Sequence, residues 1–96
     1  MNRDALVIKE QDNVATAIRD IAARAVARVG RGDEVFELAV ADGIAMGHKV
    51  AVRDIAHGED ILKYGAVIGR ATAAIPAGRH VHVHNVESLR GRGDLA

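Results

Sequence analysis

The chain has 96 residues, 13 basic and 13 acidic side chains, no formal net charge and no cysteine. That excludes disulfide staples and thiolate metal sites and argues against a nucleic-acid binder, which carries a basic excess; at 2% aromatic residues there is almost no platform for stacking bases. No window approaches the roughly 20 apolar residues of a membrane span, and the four-residue apolar run near the N-terminus is too short for a signal peptide, so the expectation is a cytoplasmic protein. The length suits one domain. A chain this short buries only roughly 60–65% of its unfolded surface, so a partner chain, a metal or homo-oligomerisation is expected to supplement its stability.

The first predicted element is the branched run Ala5-Leu6-Val7-Ile8, a buried strand. Lys9 to Asn13 is polar and reads as a turn, with Asp12 or Asn13 as N-cap. Val14, Ala17, Ile18, Ile21, Ala22 and Ala25 then follow helical spacing, and Asp20 with Arg24 makes an i,i+4 pair. This predicts one helix, at about 14–24. Residues 25–29 read as a strand ended by the turn Gly30-Arg31-Gly32-Asp33. Glu34 to Ala41 alternates for part of its length, Asp42-Gly43 is a turn dipeptide, and Val50-Ala51-Val52 resumes an extended pattern.

From Ile55 onward, Gly58, Gly65, Gly69 and Gly78 punctuate short apolar runs, which favours several short strands. Ile75-Pro76-Ala77-Gly78 is a turn. His80-Val81-His82-Val83-His84 alternates throughout and predicts a strand with its three imidazoles on one face and its valines in the core. The Gly-rich, charged residues 89–96 read as a flexible tail, which leaves 1–88 as the domain. No internal repeat is apparent at this level. The sum is a mainly β single domain with one helix and six or seven short strands, since one helix cannot cover a large sheet.

Three places carry candidate chemistry. Neutral imidazoles bind divalent metals, so the face His80, His82, His84 is a candidate ligand surface, with His48 as a further ligand; a solvated polar strand face is the plain alternative. Gly47-His48-Lys49 offers a proton-transfer group beside an anion contact, or simply a polar turn. Lys63-Tyr64-Gly65 holds the only tyrosine, either a phenol donor to a substrate or the amphipathic edge of the core. The glycines match neither the P-loop nor the dinucleotide fingerprint. The only serine is Ser88, and it stands in no nucleophile motif.

Three linked stretches carry a resemblance. Gly47-His48-Lys49-Val50-Ala51, then Gly58-Glu59-Asp60-Ile61-Leu62-Lys63-Tyr64-Gly65 with Ile68-Gly69, then Gly78 with Val81-His82-Val83-His84-Asn85, resemble the N-terminal SAF module of the altronate and galactarate dehydratase family. The resemblance spans about 40 residues, from Gly47 to Asn85, in one order. It implies a β-clip fold. It implies sugar-acid dehydration with a divalent metal, iron or manganese, bound together with a large catalytic subunit. It also brings in a close relative, the sulfolactate sulfo-lyase small subunit, which eliminates sulfite in place of water.

On that resemblance His48 and His84 are the proton-transfer candidates. His82 and His84 are the metal candidates, and Lys49, Lys63, Tyr64 and Asn85 the substrate contacts. His57 and His80 fall outside the matching anchor positions. At this length the large catalytic domain is missing, so the expectation is a natural small subunit, or else a cut-out N-terminal module, inactive alone and acting on a small sugar acid beside its larger partner. The alternatives are a sulfo-lyase small subunit and a non-catalytic sugar-acid-binding or assembly module.

Overall fold

The computed structural model describes residues 2–88; the predicted tail and the boundary before it lie outside the described residues. Nine short strands follow one another: β1 (Ala5–Val7), β2 (Val14–Ala17), β3 (Val26–Arg31), β4 (Glu34–Ala39), β5 (Lys49–Ala51), β6 (Asp60–Lys63), β7 (Ala66–Ala71), β8 (His80–Val81) and β9 (Val86–Ser88). Six form one sheet in the order β4-β3-β1-β2-β5-β8, and three form a second in the order β6-β7-β9. Only β1 and β3 run parallel; the other pairs are antiparallel.

The predicted helix at 14–24 is not there, and no residue among those described is helical. Residues 14–17 pair with β1 on one side and β5 on the other, then bend to bring Ile21 against Ile44. Two competing forces defeat the helical spacing. An eleven-residue helix is marginal without tertiary packing. Its supposed caps are also spent elsewhere: the Asp12 carboxylate accepts from the backbone N–H groups of Lys9, Tyr64 and Gly65, and the Asn13 amide bridges Asp60 and Leu62. Both residues are buried, so these bonds fix the β1–β2 turn to the β6–β7 hairpin and tie the two sheets together. Asp20 is likewise taken, accepting from the Met46 N–H, rather than pairing with Arg24.

A repeat underlies the fold. Residues 17–27, 40–50, 51–61 and 71–81 share one spacing: a buried Ala or Val, a buried Ile four later, a residue at positive φ three beyond it, and a buried aliphatic three beyond that. The isoleucines are Ile21, Ile44, Ile55 and Ile75, and the closing residues Ala27, Val50, Ile61 and Val81. The left-handed positions are Arg24, Gly47, Gly58 and Gly78, at φ 68°, 88°, 86° and 87°. The copies interlock in pairs. Ile21 and Ile44 exchange both backbone hydrogen bonds at 2.8 Å, as do Ile55 and Ile75. Each left-handed N–H donates to the carbonyl at the start of its partner's copy: Arg24 to Val40, Gly47 to Ala17, Gly58 to Ala71, Gly78 to Ala51. The signal was present in the sequence, where Ala17-Ile-Arg-Asp-Ile-Ala22 and Ala51-Val-Arg-Asp-Ile-Ala56 agree at five of six positions.

Arg24 alone fills the left-handed position with a side chain, which costs an L-residue about 1–2 kcal/mol there. Arg24→Gly is therefore expected to raise the unfolding free energy by about 0.5–1 kcal/mol after the extra chain entropy of glycine is offset. Urea titration measures this, and a variant less stable than the parent would refute the argument.

Candidate functional site

The site grows from two copies of the repeat. The first delivers His48 just after the Gly47 turn, and the second delivers His80 just after the Gly78 turn. Antiparallel pairing of β5 with β8 sets Lys49 opposite Val81 and Val50 opposite His80. One step further along that register His48 meets His82, their rings stacked with centroids 3.9 Å apart. Diagonally, His48 Nδ1 and His80 Nε2 share a hydrogen bond of 2.8 Å. One ring nitrogen from each of His48, His80 and His82 lies within 4.8 Å of the other two.

The three-histidine strand face read from the sequence is corrected in detail. The strand stops at Val81, and residues 82–85 turn back, with the Asn85 N–H bonded to the His82 carbonyl. Val83 consequently points outward, 81% exposed, rather than into the core. His82 joins the cluster because of this turn. His84 stands outside the three-residue set, exposed, with its ring 5.1 Å from that of His80 and tilted. His80, set aside on sequence grounds, sits at the centre. Its role depends on pairing between strands 30 residues apart, which no local pattern reports. His57 is exposed and stands outside the three-residue set.

Asn85 holds the turn together: its Oδ1 accepts from the His82 N–H and its Nδ2 donates to the His80 carbonyl. It thereby positions two of the three imidazoles. Asp42 does a related task from the neighbouring loop, accepting from the His80 N–H and from Arg79 Nη1.

Burial, and then the charge of neighbouring His48, hold His80 and His82 below the ordinary imidazole pKa of 6.5. Both rings are therefore neutral at neutral pH, with lone pairs available. The Nδ1 atom of His82 is buried and has no hydrogen-bond partner, which leaves a costly unsatisfied acceptor or donor in the apo protein. Metal–nitrogen bonds of about 2.0–2.1 Å set ligand nitrogens about 3.3 Å apart in a tetrahedral site, so the three nitrogens are near enough to meet one ion once the stacked rings of His48 and His82 rotate out of parallel. The residues present thus fit a divalent metal: an all-imidazole donor set with a buried, unpartnered nitrogen, on backbone that Asn85 and Asp42 hold in place.

Because the unfolded chain protonates these histidines more readily than the folded one, stability is full above pH 6.5 and falls as the pH drops through that value. The urea midpoint is expected to be lower at pH 5.5 than at pH 7.5. In a His80→Gln/His82→Gln variant that difference should shrink; an undiminished pH dependence would refute the assignment.

Lys49 lies on the other side of His82. Its pKa is lowered by burial and by nearby Lys63. Lys63 and Tyr64 sit at the β6–β7 hairpin tip, with the ammonium 4.9 Å from the ring centroid. Tyr64 is 55% exposed and held at φ 57° by the Asp12 contacts. Two openings flank the cluster. On the Lys49 side is a groove of about 640 Å³ walled by Val67, Ile68, Val83 and Val86; on the His80 side is a polar cleft of about 350 Å³.

The model of the altronate/galactarate dehydratase SAF domain matches residues 3–89. The chain is 47% identical over 58 residues to the (2R)-sulfolactate sulfo-lyase subunit alpha of Chromohalobacter salexigens, 60% of this chain and 62% of that one. It is 38% identical over 85 residues to the altronate dehydratase of Bacillus subtilis, and 42% identical over 81 residues to that of Escherichia coli. Those alignments take in 84% and 80% of this chain but only 16% and 15% of the dehydratases. The chain thus spans about three-fifths of the sulfo-lyase subunit and about one-sixth of each dehydratase.

Proposed function

Because this chain belongs to the family of altronate/galactarate dehydratase SAF domains, we propose that it serves as the SAF module of a hydro-lyase acting on a sugar acid, beside a larger catalytic polypeptide. The observation that carries the reading is the cluster His48–His80–His82 with its unpartnered His82 Nδ1. The dehydratases it resembles are far longer than the matching segment, which supports a division of labour between this module and a larger partner. A β-clip arrangement, short strands folded over one another through repeated bends, is the finer description we assign to the fold.

Elimination beside a carboxylate needs a base for the α-proton, positive charge for the developing enediolate, an acid for the leaving group and cations on the carboxylate. In our reading His48, His80 and His82 would hold a divalent metal, iron or manganese, which would supply Lewis-acid charge for the developing enediolate; the base for the α-proton would come from the larger polypeptide. Lys49, with Lys63 behind it, contributes the cation for the carboxylate. His84, exposed at the edge of the cluster, exchanges a proton with the leaving hydroxyl, and Tyr64 contacts substrate or partner from the hairpin tip. Asn85 and Asp42 position His80 and His82.

A second reading is favoured by the 47% identity to a sulfo-lyase subunit: the same residues would serve an elimination in which sulfite leaves. The test is to purify the chain with its larger lyase partner and assay altronate, galactarate and (2R)-sulfolactate in turn. Turnover of a hexonate or hexarate supports the first reading, and sulfite release alone selects the second. His48→Ala or His82→Ala in the complex should lower kcat by about 10²-fold or more. Unchanged turnover in both variants would reduce the module to an assembly role.

A further inference from the structure

The openings on either side of the histidine cluster have opposite chemistry. The larger groove presents mainly aliphatic walls, Val67, Ile68, Val83 and Val86, with Lys49, His82 and Ser88 at its polar points. A sugar acid carries a hydroxyl on nearly every carbon, and against the aliphatic walls those hydroxyls lose water without gaining partners. The cleft on the His80 side sets Asp42, Arg79, His80, His84 and Asn85 against one short segment, residues 73–76. Its volume of about 350 Å³ falls at the low end of the range for small-molecule pockets, about 300–1,000 Å³.

Resting on the sugar-acid reading above, we propose that this polar cleft is the subsite for the polyhydroxylated tail of the substrate, and that Arg79 and Asp42 determine specificity for it. Arg79 Nη1 donates to Asp42 Oδ1 at 3.2 Å, with both side chains partly exposed. The remaining guanidinium hydrogens and the spare carboxylate lone pairs put donors directly beside acceptors. That is the complement of vicinal hydroxyls, each of which donates and accepts. Asn85 keeps one amide hydrogen and one carbonyl lone pair beyond its turn bonds. His80 belongs both to the cluster and to the cleft wall, so a molecule whose carboxylate end reaches the cluster can extend its tail into this cleft, where its hydroxyls find partners. A three-carbon acid has no tail to place, and the cleft gives it nothing.

The experiment follows backbone amide shifts of the full 96-residue chain during titration with D-altronate and, separately, with D-glycerate. Altronate is expected to move the amides of residues 73–75, Arg79 and His80 and to bind more tightly than glycerate. Arg79→Met should weaken altronate about tenfold or more, as loss of a charged hydrogen-bonding group does, and leave glycerate unchanged. Arg79→Lys keeps the charge but loses the fork and should behave like Arg79→Met. The proposal is overturned if the parent chain shows no shift in these amides, if the variants bind altronate as the parent does, or if both ligands weaken equally. Cobalt(II) titration of the same samples reports the histidine cluster separately. Intact cobalt binding without altronate discrimination removes the subsite alone, whereas discrimination without cobalt binding removes the metal reading alone.

Discussion

Gly78→Ala is expected to destabilise the chain by about 1.5–4 kcal/mol, combining about 0.5–1 kcal/mol net for an L-residue at positive φ with about 1–3 kcal/mol for overpacking. Gly78 is buried at φ 87°, and an added Cβ would run into the Ala39 carbonyl oxygen and within 3.3 Å of Val40 Cα. Backbone cannot swing aside as a side-chain tip can, so β8 must shift. A domain of this size has about 5–15 kcal/mol to lose, and each kcal/mol moves Tm by about 4–8 °C; a fall of at least about 6 °C follows. The repeat supplies its own control. Gly47 and Gly58 occupy the equivalent position at nearly the same φ, with nothing within 4 Å of an added Cβ. Gly47→Ala and Gly58→Ala should cost only the conformational part, about 0.5–1 kcal/mol once the lost chain entropy of glycine is offset. Equal losses at all three positions would show that the contact with Ala39 is unimportant.

The second large effect concerns metal affinity. Removing any one of His48, His80 or His82 by alanine substitution should weaken cobalt(II) binding by about a hundredfold or more, beyond the 10–100-fold typical of outer partners. His84→Ala and His57→Ala should leave it nearly unchanged. Because ligand nitrogens must be deprotonated and burial already holds His80 and His82 below 6.5, affinity should persist at pH 7 and decline only below about pH 6.5. Visible absorption of bound cobalt(II) reads both. A His84→Ala variant as impaired as His82→Ala would replace the proposed ligand set.

Much of this was legible in the residues themselves. A branched run marked β1, partial alternation marked β4, and Pro76 with Gly78 marked the turn before β8. The motifs around His48, Lys63 and His82 pointed to the family before any geometry. What failed was whatever depends on partners distant in sequence. The spacing from Val14 to Ala25 suits a helix as well as a strand followed by a bend, and only pairing with β1 and β5 decides between them. Asp12 and Asn13 look like caps locally, yet their partners lie about 50 residues away. His80 is ordinary within its own strand and becomes central only through the register of β5 against β8. The repeat is masked for another reason: beyond the matching stretches 17–22 and 51–56 its copies share spacing and burial more than residue identity, and Arg24 hides the glycine position in the first.

The interlocking of the copies carries a kinetic meaning for the site. His48 lies in the second copy and His80 in the fourth, and each copy closes only against the other member of its pair. A chain released from synthesis as far as Ala71 can complete the first pair, but the second still lacks Ile75 and Gly78. The imidazoles, 32 residues apart between His48 and His80, therefore meet among the last events of assembly. An ion captured by all three is captured by the finished domain alone. At a free concentration of 100 Kd it would then stabilise that domain by about 2.7 kcal/mol, so the availability of metal would be felt as the lifetime of the whole fold.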